Sequence, residues 1–156
     1  MQRFTISLDD ELAQRFDALI ASRGYDNRSE AVRDLIREQL GAQALAADQA
    51  PWCVANVSYV YDHHDRPVTE RVLALQHDHH DLVVSSLHTH LDHHHCMETV
   101  VLRGASAAVR EFAAQLVAVR GVRHGQVHLV ALAEAHESHR HGKPGQTPHR
   151  HFHPVD

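Results

Sequence analysis

Apolar side chains recur along this chain with two periods, and the changes of period mark its elements. In "QRFTISL", Phe4, Ile6 and Leu8 alternate with Arg3, Thr5 and Ser7, the pattern of a strand with one apolar and one polar face. Asp9 or Asp10 then offers an N-cap. Leu12, Phe16, Leu19 and Ile20 follow at helical spacing up to Gly24, a C-terminal stop. Asn27 and Glu30 make a cap pair for a second helix with Val32, Leu35, Ile36 and Leu40 on one face; Gly41 ends or interrupts it. A strand and two helices in about forty residues cannot bury enough apolar surface to fold alone, and a single strand needs a partner. A two-fold dimer meets both needs. Two copies of residues 1–8 pair antiparallel, and two sets of Arg3, Thr5 and Ser7 face outward.

The pattern then changes. A strand rich in Val and Tyr covers 52–62, and a helix follows with Pro67 in its first turn and Val68, Val72 and Leu75 on one face. Strands are predicted over 81–91 and 96–104, and a helix over 105–121 with Val109, Phe112, Leu116 and Val119 spaced for burial. A last strand covers about 126–133. The order βαββαβ is the ferredoxin-like split unit, a sheet with its helices on one face. The predicted organisation is therefore α+β: a βαα unit at 1–44, a linker at 45–51 closed by Pro51, a βαββαβ domain at 52–134, and a tail at 135–156. The tail is polar, rich in His, Pro and Gly and without apolar periodicity, so it is expected to be disordered unless metal orders it.

Composition narrows the function classes. No segment approaches the roughly 18 consecutive apolar residues of a membrane span, and "MQRFTISLDD" lacks the apolar core of a secretory signal, so a cytoplasmic protein is expected. Two cysteines, Cys53 and Cys96, make no disulfide framework, and as reduced thiols they are available to metal. The formal net charge of −5 argues against generic, charge-driven nucleic-acid binding, so any DNA recognition must come from a local surface. The anomaly is 18 histidines in 156 residues. Imidazole is the commonest metal ligand and titrates near neutrality, so metal and pH are the stimuli to consider.

The densest stretch is "LHTHLDHHHC", residues 87–96. Residues i and i+2 of a strand face the same way, so His88 and His90 project together. If His90 opposes Cys96 across the hairpin, two imidazoles and a thiolate converge on one face. Glu98 then opposes His88 and can orient it as an outer partner. A fourth ligand can be water, a substrate or another histidine, with His77 at the end of the preceding helix the foremost protein candidate. The set suits Ni(II), Cu(II) or Zn(II), which differ in geometry. The remaining histidines have plainer roles. His63, His64, His79, His80 and His93 to His95 are weak secondary binders or solvated groups, His124 and His128 are structural, and Cys53 is a core residue.

Residues 3–40, "RFTISLDDELAQRFDALIASRGYDNRSEAVRDLIREQL", resemble the ribbon-helix-helix domain of bacterial repressors. Such a ribbon enters the major groove. Arg3 can then donate to guanine, and Thr5 and Ser7 can meet several base edges. The start of the second helix, Asn27, Arg28 and Ser29, can present N–H groups to a phosphate. With the second region and its "QHDHHDL" and "HTHLDHHHC" included, residues 2–134 resemble the nickel-responsive regulator family, a ribbon-helix-helix followed by an ACT-like metal-binding domain. The resemblance implies one Ni(2+) per subunit, with His77 supplied by another subunit, and a homotetramer made as a dimer of dimers. It also implies a palindromic double-stranded operator, repression of nickel-uptake genes, and a monovalent-cation site at Glu30 and Asp34. Two rivals remain. One is a nickel store or metallochaperone, suggested by the His-rich tail. The other is a hydrolytic metalloenzyme with Glu98 as base. The DNA-binding half has no role in either, and an enzyme is not expected.

Overall fold

The computed structural model describes residues 3, 5–47, 49–134 and 151–155. The chain divides into two units, Met1–Leu40 and Gly41–Asp156.

In the first unit, Arg3 and Thr5 to Asp9 are exposed and belong to no helix or sheet of the single chain. The strand expected there is defined by hydrogen bonds to a second strand, and that strand was expected from a second copy. Helix α1 (Asp10–Ser22) starts at Asp9, whose Oδ1 accepts from the Leu12 N–H at 2.8 Å. It stops at Gly24, where φ is +75° and the Gly24 and Tyr25 N–H groups close on the Ala21 and Ile20 carbonyls. Helix α2 (Arg28–Ala46) opens on the expected cap pair: Glu30 N–H donates to Asn27 Oδ1 at 2.9 Å, and Asn27 Nδ2 donates back to Glu30 Oε2 at 3.4 Å. The unit has almost no interior of its own. Ile20 and Ala31 are buried, while Ile6, Leu8, Leu12, Leu19, Ile36 and Leu40 are exposed.

Gly41 does not end α2, which runs on to Ala46. A mid-helix glycine costs about 1 kcal/mol against alanine, and tertiary contacts offset it. Ala44, Leu45 and Ala50 join the core of the second unit, Arg110 Nη1 donates to the Leu45 carbonyl at 2.8 Å, and Ser106 Oγ donates to the Ala50 carbonyl. The stretch expected to be a linker is thus partly helix and partly core.

The second unit follows the expected order: β1 (Trp52–Asp62), α3 (Arg66–Asp78), β2 (Val83–His90), β3 (His95–Ala105), α4 (Ser106–Val117) and β4 (Arg123–Glu134). The sheet order is β2-β3-β1-β4, with a fifth strand, β5 (Phe152–Pro154), beside β4. On β1, Cys53, Ala55, Val57, Tyr59 and Tyr61 are buried. They form one core with Val68, Val72 and Leu75 of α3, Val109, Phe112 and Leu116 of α4, and Val100 and Leu102 of β3.

The fifth strand, β5 (Phe152–Pro154), comes from the tail expected to lack structure. It pairs antiparallel with β4 at Leu132–Glu134. Its anchors are apolar: the Phe152 ring lies 5.1 Å from Trp52, the Arg103 guanidinium sits over Phe152, and Val155 packs on the core. Polar composition hid one aromatic placed where an edge strand could bury it. The expectation of disorder for 135–150 lies outside the described residues.

Candidate metal centre

Strand β3 lies between β2 and β1, and its register decides which side chains meet. His90 pairs with Cys96 and Cys96 with Tyr61, while His88 pairs with Glu98 and Glu98 with Tyr59. Directly paired residues share a sheet face. His88, His90, Cys96 and Glu98 therefore lie on the face that the helices cover, in the register expected from the sequence. The His88 and His90 ring centroids are 4.9 Å apart. Both imidazoles are exposed on the edge strand, whereas Cys96 is fully buried.

Burial sets the chemistry of the thiol. It pushes the Cys96 thiol above its ordinary range, the Glu98 charge adds to the effect, and Cys96 Sγ donates weakly to the Tyr61 carbonyl at 3.5 Å. The group is a protonated thiol at neutral pH until a cation displaces the proton. Glu98, 5 % exposed, accepts from Tyr61 Oη at 3.0 Å and from Gln76 Nε2 of α3 at 2.5 Å. Both neighbouring phenols, Tyr59 and Tyr61, are pushed up by burial and by this carboxylate. Glu98 thus ties α3 to the sheet, and it accepts from Tyr61 and Gln76 rather than from His88.

His77 occupies the last turn of α3 and is exposed. Among the described residues, no three His, Cys, Asp or Glu side chains of the single chain are gathered closely enough to hold an ion. The donor set still fits a borderline transition metal: two imidazoles and a thiol on one face, with the imidazoles on an open edge. His79 and His80 serve the end of α3. The His79 ring stacks on Phe112 at 4.3 Å with its Nδ1 against the Leu75 carbonyl, and His80 Nδ1 bonds the His77 carbonyl.

His63 is closer to the centre than the sequence suggested. Its ring centroid lies 5.2 Å from His90 and 6.4 Å from His88. Burial and the neighbouring His64 and His90 hold it toward the neutral form, and its Nδ1 is buried without a hydrogen-bond partner. β1 ends at Asp62, and His63 follows it in the turn before α3, where its N–H donates to the His94 carbonyl of the hairpin at 3.0 Å. Strand periodicity gave no signal for His63, because it lies just past the end of β1.

On the first unit, Asn27 is occupied as the helix cap, and Arg28 makes a bidentate pair with Asp17 at 2.7 and 2.6 Å. The pair is exposed and worth little. Arg3, Thr5, Ser7 and Ser29 are exposed.

Comparison with known proteins agrees with both units. Residues 2–43 match the ribbon-helix-helix protein, copG family, and residues 54–130 match the NikR C terminal nickel binding domain. A nickel-responsive regulator of Edwardsiella ictaluri is 45 % identical over 130 residues, spanning 83 % of this chain and 90 % of its own. The chain belongs to the nickel-responsive regulator family. A protein of Bradyrhizobium diazoefficiens, provisionally described as such a regulator, is 44 % identical over 154 residues, spanning 98 % of this chain and 99 % of its own. One of Pseudomonas putida, described likewise, is 48 % identical over 130 residues, 83 % of this chain and 94 % of its own. These relatives are regulators, a family that is not enzymatic, which sets aside the hydrolase reading. The Bradyrhizobium match reaches into the tail that carries β5. The acidic pair that the family resemblance singled out is partly engaged here: Asp34 accepts from Tyr25 Oη and Arg37 Nη1, both at 3.1 Å, and Glu30 takes part in the helix cap. Among the described residues, no helix is long and apolar enough to cross a membrane.

Proposed function

We propose that this regulator is a nickel-dependent repressor that binds a palindromic operator through paired ribbon-helix-helix units, one nickel per subunit. The observation that carries the reading is the register placing His90 opposite Cys96 and His88 two residues away on the same face. Bound nickel would supply a four-ligand link, with His88, His90 and Cys96 from one subunit and His77 from another. That link holds the end of α3 against a neighbour's edge strand, and so joins two dimers in a homotetramer.

The residues of this chain do the rest. Cys96 releases its proton on ligation, and Gln76 with Glu98 fixes α3 on the sheet beside the site. Arg3, Thr5 and Ser7 of two paired chains form the ribbon that reads the major groove, while the N-terminus of α2 at Asn27–Ser29 meets a phosphate. Linkage then requires operator DNA to raise nickel affinity by the same factor by which nickel raises DNA affinity. Glu30 and Asp34 remain a proposed cation site. Repression of nickel-uptake genes and a cytoplasmic location belong to the same reading. A nickel store or metallochaperone, the rival function, would need many weak sites and no operator.

The test is operator binding by gel shift with and without one Ni(II) per chain, in wild type and His90→Ala. Nickel is expected to tighten wild-type binding at least tenfold and to leave His90→Ala unaffected. Equal binding by wild type in both conditions would overturn the sensor.

A further inference from the structure

We propose that Asp92 is the positioning residue of the metal centre, fixing the β2–β3 connection so that His90 and Cys96 stay opposed; this rests on the metal centre proposed above. The connection, Leu91–Asp92–His93–His94 leading into His95, is built around this carboxylate. Asp92 Oδ1 accepts from the backbone N–H groups of His94 and His95, both at 2.7 Å, and Oδ2 accepts from His95 Nδ1 at 2.9 Å. These three donors hold the carboxyl far below its usual range. The chain ends are closed separately, since the Leu91 and Asp92 N–H groups donate to the His95 carbonyl at 2.9 and 3.3 Å.

The grip matters because of what flanks it. His90 is the last residue of β2, and Cys96 follows directly on His95. A one-residue slip of this hairpin would turn Cys96 to the opposite face and separate the thiol from both imidazoles. The neighbouring histidine-rich turn could slip easily, since nothing apolar in His93–His95 pins it. The grip also extends outward. Arg123 Nη2 of β4 donates to His95 Nε2 at 3.3 Å, His63 N–H donates to the His94 carbonyl at 3.0 Å, and His64 Nε2 donates to the His93 carbonyl at 2.9 Å. The "HHH" of this turn therefore serves as backbone and brace, tied to the start of β4 and to the loop that leads into α3. Its imidazoles are not required as ligands.

The experiment compares the full chain with Asp92→Ala, Asp92→Asn and Asp92→Glu. It reads Ni(II) affinity by chelator competition, the visible thiolate-to-nickel absorption, and the melting temperature without metal. Outer partners of metal ligands are worth roughly 10- to 100-fold in affinity. Asp92→Ala is expected to lose about tenfold or more, with a shifted or weakened thiolate band. Asp92→Asn keeps an acceptor for the two backbone N–H groups and should stay within about threefold of wild type. Asp92→Glu keeps the charge but moves the oxygens out by one methylene, and should lose affinity as alanine does. It decides the matter if Asp92→Ala does not fold. Wild-type affinity and an unchanged band in both Ala and Glu would overturn the proposal. A wild type without a thiolate band would instead overturn the metal centre itself.

Discussion

Cys96 carries most of the pH dependence expected of this protein. Its thiol is raised by burial and by Glu98, so it remains protonated through neutral pH in the metal-free chain. Each nickel bound as a thiolate must therefore release that proton, and affinity should rise about tenfold per pH unit below the raised thiol value. The sign follows from acid competing with metal at the thiol. Chelator competition at pH 6.5, 7.5 and 8.5 measures the slope. Cys96→Ser should flatten it to near zero between pH 7.5 and 8.5 and abolish the thiolate band. An unchanged slope in that variant would mean that the thiol is not a ligand. The residues that set this behaviour were legible because strand geometry is simple: i and i+2 share a face, and a hairpin of fixed length opposes fixed partners. The partners of Glu98 were not legible. Tyr61 and Gln76 reach it from another strand and a helix, and no local rule in the sequence joins positions 37 and 22 residues apart.

Among the elements, α3 is the one that carries His77, and its Val68 packs closely against Gly121 in the turn between α4 and β4. This glycine has φ of +98°, and a Cβ there would lie 2.5 Å from Val68 Cγ2. Gly121→Ala therefore meets two costs, the left-handed backbone and the clash with α3, together about 1–3 kcal/mol. Thermal unfolding without metal should show the loss, and Gly121→Ala with Val68→Ala should recover the clash part but not the backbone part. Full recovery in the double variant would deny the backbone cost. The elements themselves were readable from period alone: the expected strand at 52–62 coincides with β1, and α3, β2, β3, α4 and β4 fall within a few residues of expectation. Two expectations failed for one reason. Gly41 looked like an end or an interruption of the helix and 152–154 like part of a disordered tail, but both lie in polar or glycine-containing sequence that tertiary contacts recruit. Arg110 and the buried Leu45 extend α2, and Trp52 with Arg103 captures Phe152. Local propensity cannot register a partner that arrives from sixty or a hundred residues away.

At the scale of the whole molecule, the single chain leaves apolar surface that its function would cover. In the first unit Ile6, Leu8, Leu12, Leu19, Ile36 and Leu40 stand between 40 % and 56 % exposed, while Ile20 and Ala31 are buried. On the sheet face away from the helices, Leu87 and Met97 are exposed on β2 and β3. In the assembly proposed above these patches are covered in two steps, a ribbon-helix-helix dimer and a joining of dimers through the second unit. Ile36→Glu tests the first step without touching the second. Burying an isoleucine contributes about 1.5–3 kcal/mol, counted twice in a symmetric dimer. The substitution is therefore expected to weaken pairing of the first units by roughly 100-fold or more. Operator affinity should fall at least as far, because one ribbon needs two strands. The proposed nickel ligands His77, His88, His90 and Cys96 all belong to the second unit, so the thiolate band and Ni(II) affinity should remain those of wild type, and sedimentation should still show association through that unit. Loss of the thiolate band together with operator binding would contradict this division, since it would make the metal centre depend on pairing of the first units.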